Sequence, residues 1–196
     1  MPRFSAVLAV ALLATACAQA PETANKRTPE VPREPATLGA LPATYVSPSG
    51  CPGCLAATIT LRPDNSFLLR DQLGASEFYD FGRWRFADGK LELAGDRDQR
   101  SFALASLRRA AKVETLRGPF RMVGLYDGAR FRECLTGISW GFAQTRAAET
   151  LKEQFELKQP GGPRLVSVDA LLEGSPESLR VFRPATLHDA RRCPAQ

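Results

Sequence analysis

From Thr58 onward one pattern recurs along the chain: apolar and polar residues alternate over a short stretch, and a turn sequence then interrupts them. A period of two puts successive side chains on opposite faces of a strand, so a chain written this way folds as antiparallel β-structure rather than as helix. Ile59 and Leu61 are followed by Pro63-Asp64-Asn65 and then by Phe67 and Leu69, a hairpin in sequence form. The segment from Phe81 to Phe86, which includes Trp84, leads through Asp88-Gly89 to Leu91 and Leu93. Phe102 with Leu104, and Val113 with Leu116, are expected to supply further short strands. Short antiparallel strands in this number predict a small barrel or sandwich.

The character changes after Gly118-Pro119, where a boundary is expected. Three strands are predicted at about Arg121 to Tyr126, Arg130 to Cys134 and Ile138 to Phe142. A helix follows, with Thr145 as its cap and Ala148, Leu151 and Phe155 on one face, and Gly161-Gly162-Pro163 forbids its continuation. Two strands, Arg164 to Leu172 and Leu179 to Arg183, complete an order of three strands, helix, two strands, which is the order of an OB-fold.

The N-terminus has the three parts of an export signal: Arg3, an apolar run from Phe4 to Ala14, and the small residues Thr15 and Ala16. The run is too short to span a bilayer. Ala14-Thr15-Ala16-Cys17 resembles a bacterial lipobox, which makes Cys17 the expected site of lipidation and residues 1–16 the part removed. A thiol at a mature N-terminus can carry a thioether-linked diacylglycerol beside an acylated amine, and several acyl chains anchor stably. Residues 17–37 contain Pro21, Pro29, Pro32 and Pro35 among alternating charges and read as a tether. About twenty residues at ~3.1 Å each would hold a folded body up to ~60 Å from the membrane. Ala18 and Gln19 lack the aspartate that retains many lipoproteins at the inner membrane, so an outer-membrane location facing the periplasm is expected.

What remains divides into residues 38–118 and 119–196, each the size of a small domain. Each part carries 11 Lys plus Arg against 9 Asp plus Glu, and the signs are interleaved, so neither part has the basic stripe that a nucleic-acid partner needs. The aromatics Trp84, Phe86, Trp140 and Phe142 alternate along strands, where core is their ordinary use. Of 5 cysteines, 4 remain once Cys17 is assigned to lipid, and an even set in an exported chain reads as disulfides. Three pairings of four cysteines exist, and one of them joins Cys51 to Cys54 and leaves Cys134 with Cys193. A bond closing that second loop of about sixty residues would stabilise by roughly 4 kcal/mol in the chain-entropy model.

Gly50-Cys51-Pro52-Gly53-Cys54 followed by Thr58-Ile59-Thr60-Leu61-Arg62-Pro63-Asp64-Asn65-Ser66-Phe67 resembles the C-x-x-C, threonine-leucine strand, acidic turn and aromatic residue of the NlpE-type copper homeostasis and adhesion lipoproteins. Gly82-Arg83-Trp84 and Lys90-Leu91-Glu92-Leu93 resemble later strands of that family. Phe131-Arg132-Glu133-Cys134-Leu135-Thr136-Gly137 and Cys193 resemble the OB-like domain that some members carry, with these two cysteines in the disulfide positions. The resemblance implies a lipocalin-like β-barrel followed by an OB-like barrel with one helix. It also implies an outer-membrane lipoprotein, non-enzymatic, engaged in envelope-stress or surface sensing or in copper homeostasis through an envelope protein partner. The chain departs from the family at Gly53, where an acidic residue often precedes the second cysteine. Any metal site built there lacks that carboxylate.

Cys51 and Cys54 admit three chemistries: a redox-active pair, a soft-metal site, or a structural clip. A thioredoxin-type site needs its first thiolate at a helix N-terminus, whereas Ala56 to Leu61 reads as strand. Thiolates suit Cu(I), and with one His and no second C-x-x-C the metal reading reduces to a two-coordinate Cu(I) dithiolate. In an oxidising compartment the default is a disulfide at a strand entrance. The alternative function is thus a thiol-disulfide oxidoreductase or metal-handling protein built on these two residues. His188-Asp189 with Ser175 or Ser178 lacks the context of a catalytic triad, and His188, in a charged tail, is expected to be exposed. Gly161-Gly162-Pro163 lacks the lysine of a phosphate loop and reads as a turn.

Overall fold

The computed structural model describes residues 37–48, 55–158 and 161–195, all within one compact unit spanning 34–196. The architecture is mainly β. In chain order the elements are β1 (Ala43–Ser47), β2 (Ala56–Leu61), β3 (Ser66–Leu73), β4 (Ser76–Ala87), β5 (Lys90–Gly95), β6 (Gln99–Ala103) and β7 (Arg108–Arg109), then β8 (Phe120–Tyr126), β9 (Arg130–Glu133), β10 (Ser139–Gly141), α1 (Arg146–Leu157), β11 (Arg164–Glu173), β12 (Ser178–Val181) and β13 (Thr186–Leu187).

The first seven strands form an antiparallel run in the order β7-β1-β2-β3-β4-β5-β6. Its hairpins follow from local chemistry. Between β2 and β3, Asn65 takes φ 63° and the Asp64 carboxylate accepts from the Ser66 N–H (3.0 Å) and hydroxyl (2.6 Å), which sets Leu61 opposite Phe67. Between β4 and β5, Asp88 (φ 51°) and Gly89 (φ 72°) make the two-residue turn whose twist matches a hairpin, with Ala87 opposite Lys90. β6 and β7 each pair on one side only, so this half is an open, curled sheet among the described residues.

In the second half β8 pairs with β9 and β11, β9 with β10, and β11 with β12. The two ends of that run meet at one parallel bridge, Phe142 to Leu179, where the Ala143 N–H donates to the Leu179 carbonyl at 2.8 Å. α1 lies in sequence between the third and fourth of these strands, as an OB-fold requires. It starts because the Thr145 side chain accepts from the Ala148 N–H at 3.2 Å, and it buries Ala148, Leu151 and Phe155 on one face.

Two clusters of buried side chains result. The first gathers Tyr45, Ile59, Leu61, Phe67, Leu69, Leu91 and Leu93 from the first half. The second gathers Phe120, Met122, Tyr126, Phe131, Trp140, Leu151, Phe155, Val166 and Val168 from the second half, together with Leu68 and Phe81 from β3 and β4. Alternation explains the split: Phe67 and Leu69 point to one face of β3, and Leu68 points to the other.

The strand expected around Val113 and Leu116 does not form. The connection between β7 and β8 instead lies against β1 and β2, where its polar backbone is met by threonine hydroxyls. The Glu114 N–H donates to Thr44 Oγ1 (2.8 Å), Thr60 Oγ1 donates to the Glu114 carbonyl (2.9 Å), and the Glu114 carboxylate pairs with Arg70 (2.9 Å). These side chains replace a ladder, leaving Leu116 buried and Val113 48% exposed. Leu104, expected to extend the strand of Phe102, lies instead in a short 3-10 turn (Leu104–Ser106) after β6.

Candidate functional site: the thiols and the junction of the two halves

Cys17, Cys51 and Cys54 lie outside the described residues. Directly after the C-x-x-C, Leu55 is exposed and β2 begins at Ala56. A strand presents alternating side chains and no converging set of backbone N–H groups, so it does not supply the helix N-terminus that lowers a thiol pKa in thioredoxin-type sites. Among the described residues no three His, Cys, Asp or Glu side chains are arranged to hold a metal ion.

Cys134 and Cys193 are joined by a disulfide with a Cα–Cα distance of 5.6 Å, across 59 positions of sequence. Cys134 directly follows β9, where its N–H donates to the Val123 carbonyl at 2.9 Å, while Cys193 lies in the tail beyond β13. The bond therefore pins the tail to the β8–β9 hairpin. Polar contacts pin it again along the β11 side. The Leu165 N–H donates to the Ala190 carbonyl (2.8 Å), Lys158 pairs with Asp189 (2.9 Å), and Arg191 donates to the Gly161 carbonyl (2.8 Å).

His188 is half-buried, contrary to the exposed position expected of it. Its Nε2 is 2.9 Å from Ser167 Oγ on β11, and the neighbouring Asp189 turns to Lys158 instead. Neither Ser175 nor Ser178 is its partner; Ser178 donates to the Glu173 carbonyl at 3.3 Å. The His188 and Ser167 side chains thus fasten the tail to β11. Trp140 is 3% exposed and stacks edge-on against Phe81 with ring centroids 5.5 Å apart, while Phe142 packs on Tyr126 and Phe131. Trp84 and Phe86 pack against the first cluster.

The densest chemistry in the described residues lies where the two halves meet. β4 and β8 touch as strands at one parallel pairing, Asp80 with Arg121. Around it, Phe81 packs against Phe120 and Trp140, and Tyr79 packs edge-on against Phe120. Arg62 of the first half makes a two-pronged bond to Glu177 of the second (2.9 and 2.6 Å), with both groups part-buried. Asp96, in the loop between β5 and β6, accepts from the Val123 N–H of β8 at 2.8 Å, and its own N–H donates to the Phe81 carbonyl at 3.3 Å. Asp80, 3% exposed, accepts from the Phe81 N–H at 3.0 Å and from the Arg97 N–H. Glu133, 1% exposed, accepts from the N–H groups of Leu135 (2.8 Å) and Thr136 (2.6 Å) and from the Thr136 hydroxyl (2.6 Å).

Burial dominates the electrostatics here. It pushes the Asp96 carboxyl up to about 7, helped by the negative charge of Glu133 and opposed by the Val123 N–H. It likewise pushes Asp80 up to about 6, against the pull of the Phe81 and Arg97 N–H groups. Reading the sequence by alternation passes over Asp80 and Glu133, because an acid within a strand is assigned to the solvent face, and over Asp96, because an acid in a turn is assigned there too. The available signal was Asp80 itself, a lone carboxylate between Tyr79 and Phe81.

No protein-family model and no curated protein sequence matches this chain. Among solved structures, it is similar to the crystal structure of the Cpx pathway activator NlpE from Escherichia coli. The identity is 17%, the match covers 78% of this chain and 99% of the other, and the TM-score is 0.37.

Proposed function

We propose that this chain is a lipid-anchored envelope protein whose folded part binds or senses a partner and does not transform a substrate. Cys17 carries the anchor, residues 18–37 carry the body away from an outer membrane, and the body faces the periplasm. The roles implied by the sequence resemblance, envelope-stress or surface sensing and copper homeostasis, belong to this reading, with Cys51 and Cys54 as the thiols for Cu(I). The observation that carries it against the oxidoreductase alternative is the strand beginning at Ala56, two residues after Cys54. A strand there is not the helix start that thiol-disulfide catalysis uses. The Cys134–Cys193 bond supports an oxidising compartment.

The test is the anchor. Cys17→Ser should abolish acyl labelling and release the protein from the membrane fraction, while leaving the thermal stability of the folded body unchanged. Unchanged labelling and membrane partition would reject the reading. Fractionation of the wild-type protein to the inner membrane alone would reject the outer-membrane part of it.

A further inference from the structure

The contact between the two halves combines a minimal backbone pairing with buried carboxylates on both sides of it. Asp96 belongs to the first half, yet its carboxylate holds the Val123 N–H of the second at 2.8 Å. Asp80 stands at the one β4–β8 pairing and lies against the backbone of Gly95, where an added Cβ would come within 2.0 Å of its Oδ2. Glu133 supplies a third carboxylate from β9. The charged groups that act on this pair are Glu133 on β9, Arg121 on β8, and Arg97 and Asp98 in the loop between β5 and β6, besides the mutual repulsion of Asp80 and Asp96.

From this geometry we propose that the junction is a proton-sensitive clasp, tight in mildly acidic surroundings and loosened as the medium turns neutral to alkaline. The anchor and the partner of the protein play no part in it. Asp96 is half-buried; protonated, it still accepts from Val123 but no longer sets a second negative charge against buried Glu133. Above neutrality the junction must either hold that charge or let water in.

The sign follows from linkage. The carboxyls of Asp80 and Asp96 sit at about 6 and about 7 in the folded protein, against 3.8 for the free groups. The closed junction therefore binds protons that the opened one does not. Its stability is highest at and below the free value, falls as pH rises from about 4, and reaches its lower plateau above the folded values. Between pH 5 and pH 8 Asp96 changes the opening roughly a hundredfold, and Asp80, with its lower midpoint, adds about a further tenfold.

Amide hydrogen exchange on the full chain reads the opening directly. After correction for the intrinsic pH dependence of exchange, the amides of Val123, Asp96 and Arg97 should lose at least tenfold, and up to about a thousandfold, in protection between pH 5 and pH 8. The β2–β3 hairpin should hold its protection. Asp96→Asn keeps an acceptor for Val123 and cannot ionise, so it should cut the loss to about tenfold, the part that Asp80 supplies. A loss of unchanged size in Asp96→Asn, or wild-type protection that does not change with pH, would overturn the clasp. Carboxyl-carbon titration of the wild-type protein needs no variant. A midpoint for Asp96 near 7 supports the proposal, and one near 4 refutes it.

Discussion

Phe81→Ala tests how firmly the two halves are joined. Phe81 is carried by β4 of the first half, is 0% exposed, and sits in the second cluster with ring contacts to Phe120 (6.4 Å) and Trp140 (5.5 Å). Truncation removes its transfer free energy and leaves a cavity whose walls belong to both halves and cannot collapse freely. Buried Phe→Ala changes cost ~3–5 kcal/mol, which includes the loss of two edge-on aromatic pairs worth about 1 kcal/mol each. A single domain of this size has a urea slope of about 2 kcal/mol/M, so the unfolding midpoint should drop by roughly 2 M. The chain has 2 tryptophans, one in each half, and in a Trp84→Phe background the fluorescence of Trp140 follows the second half alone. Circular dichroism in the far ultraviolet follows the whole sheet. Both signals should shift together, because the junction lies within one cooperative unit. A Trp140 midpoint that moves by less than the equivalent of about 1 kcal/mol would show that Phe81 is not core, and the packing argument would fail.

The disulfide and the helix cap give two simpler tests. Replacing Cys134 and Cys193 with serine reopens a loop across 59 positions and should lower stability by about 4 kcal/mol, read by urea melts of the oxidised wild type and the double variant; coincident curves would contradict it. Thr145→Ala removes the acceptor for the Ala148 N–H and should cost about 1 kcal/mol in the same assay, with glycine at that position costing less than alanine.

Much of this fold was legible in the sequence because its local signals are strong. The turn at Asp64-Asn65 and the one at Asp88-Gly89 need residues that tolerate positive φ, and those residues stand where the strands must reverse. Thr145 and the spacing of Ala148, Leu151 and Phe155 define the helix without help from the rest of the molecule. β1 and the stretch around Val113 were not legible in that way. β1 has too few alternating positions to stand out. The Val113 stretch looks like a strand, but its backbone is satisfied by the hydroxyls of Thr44 and Thr60, which lie far away in sequence.

The sequence alone determined what is local: the period of two, the hairpin turns, the capped helix, and the order of three strands, helix and two strands. Tertiary structure alone decided which face of each strand meets which core. Leu68 and Phe81 leave their own half for the other cluster, and Asp80 and Glu133, both buried, come to act on half-buried Asp96 although the sequence separates the three. Alternation says which side chains share a face, but burial and the electrostatics that come with it depend on what is packed against that face. That is a property of the assembled chain.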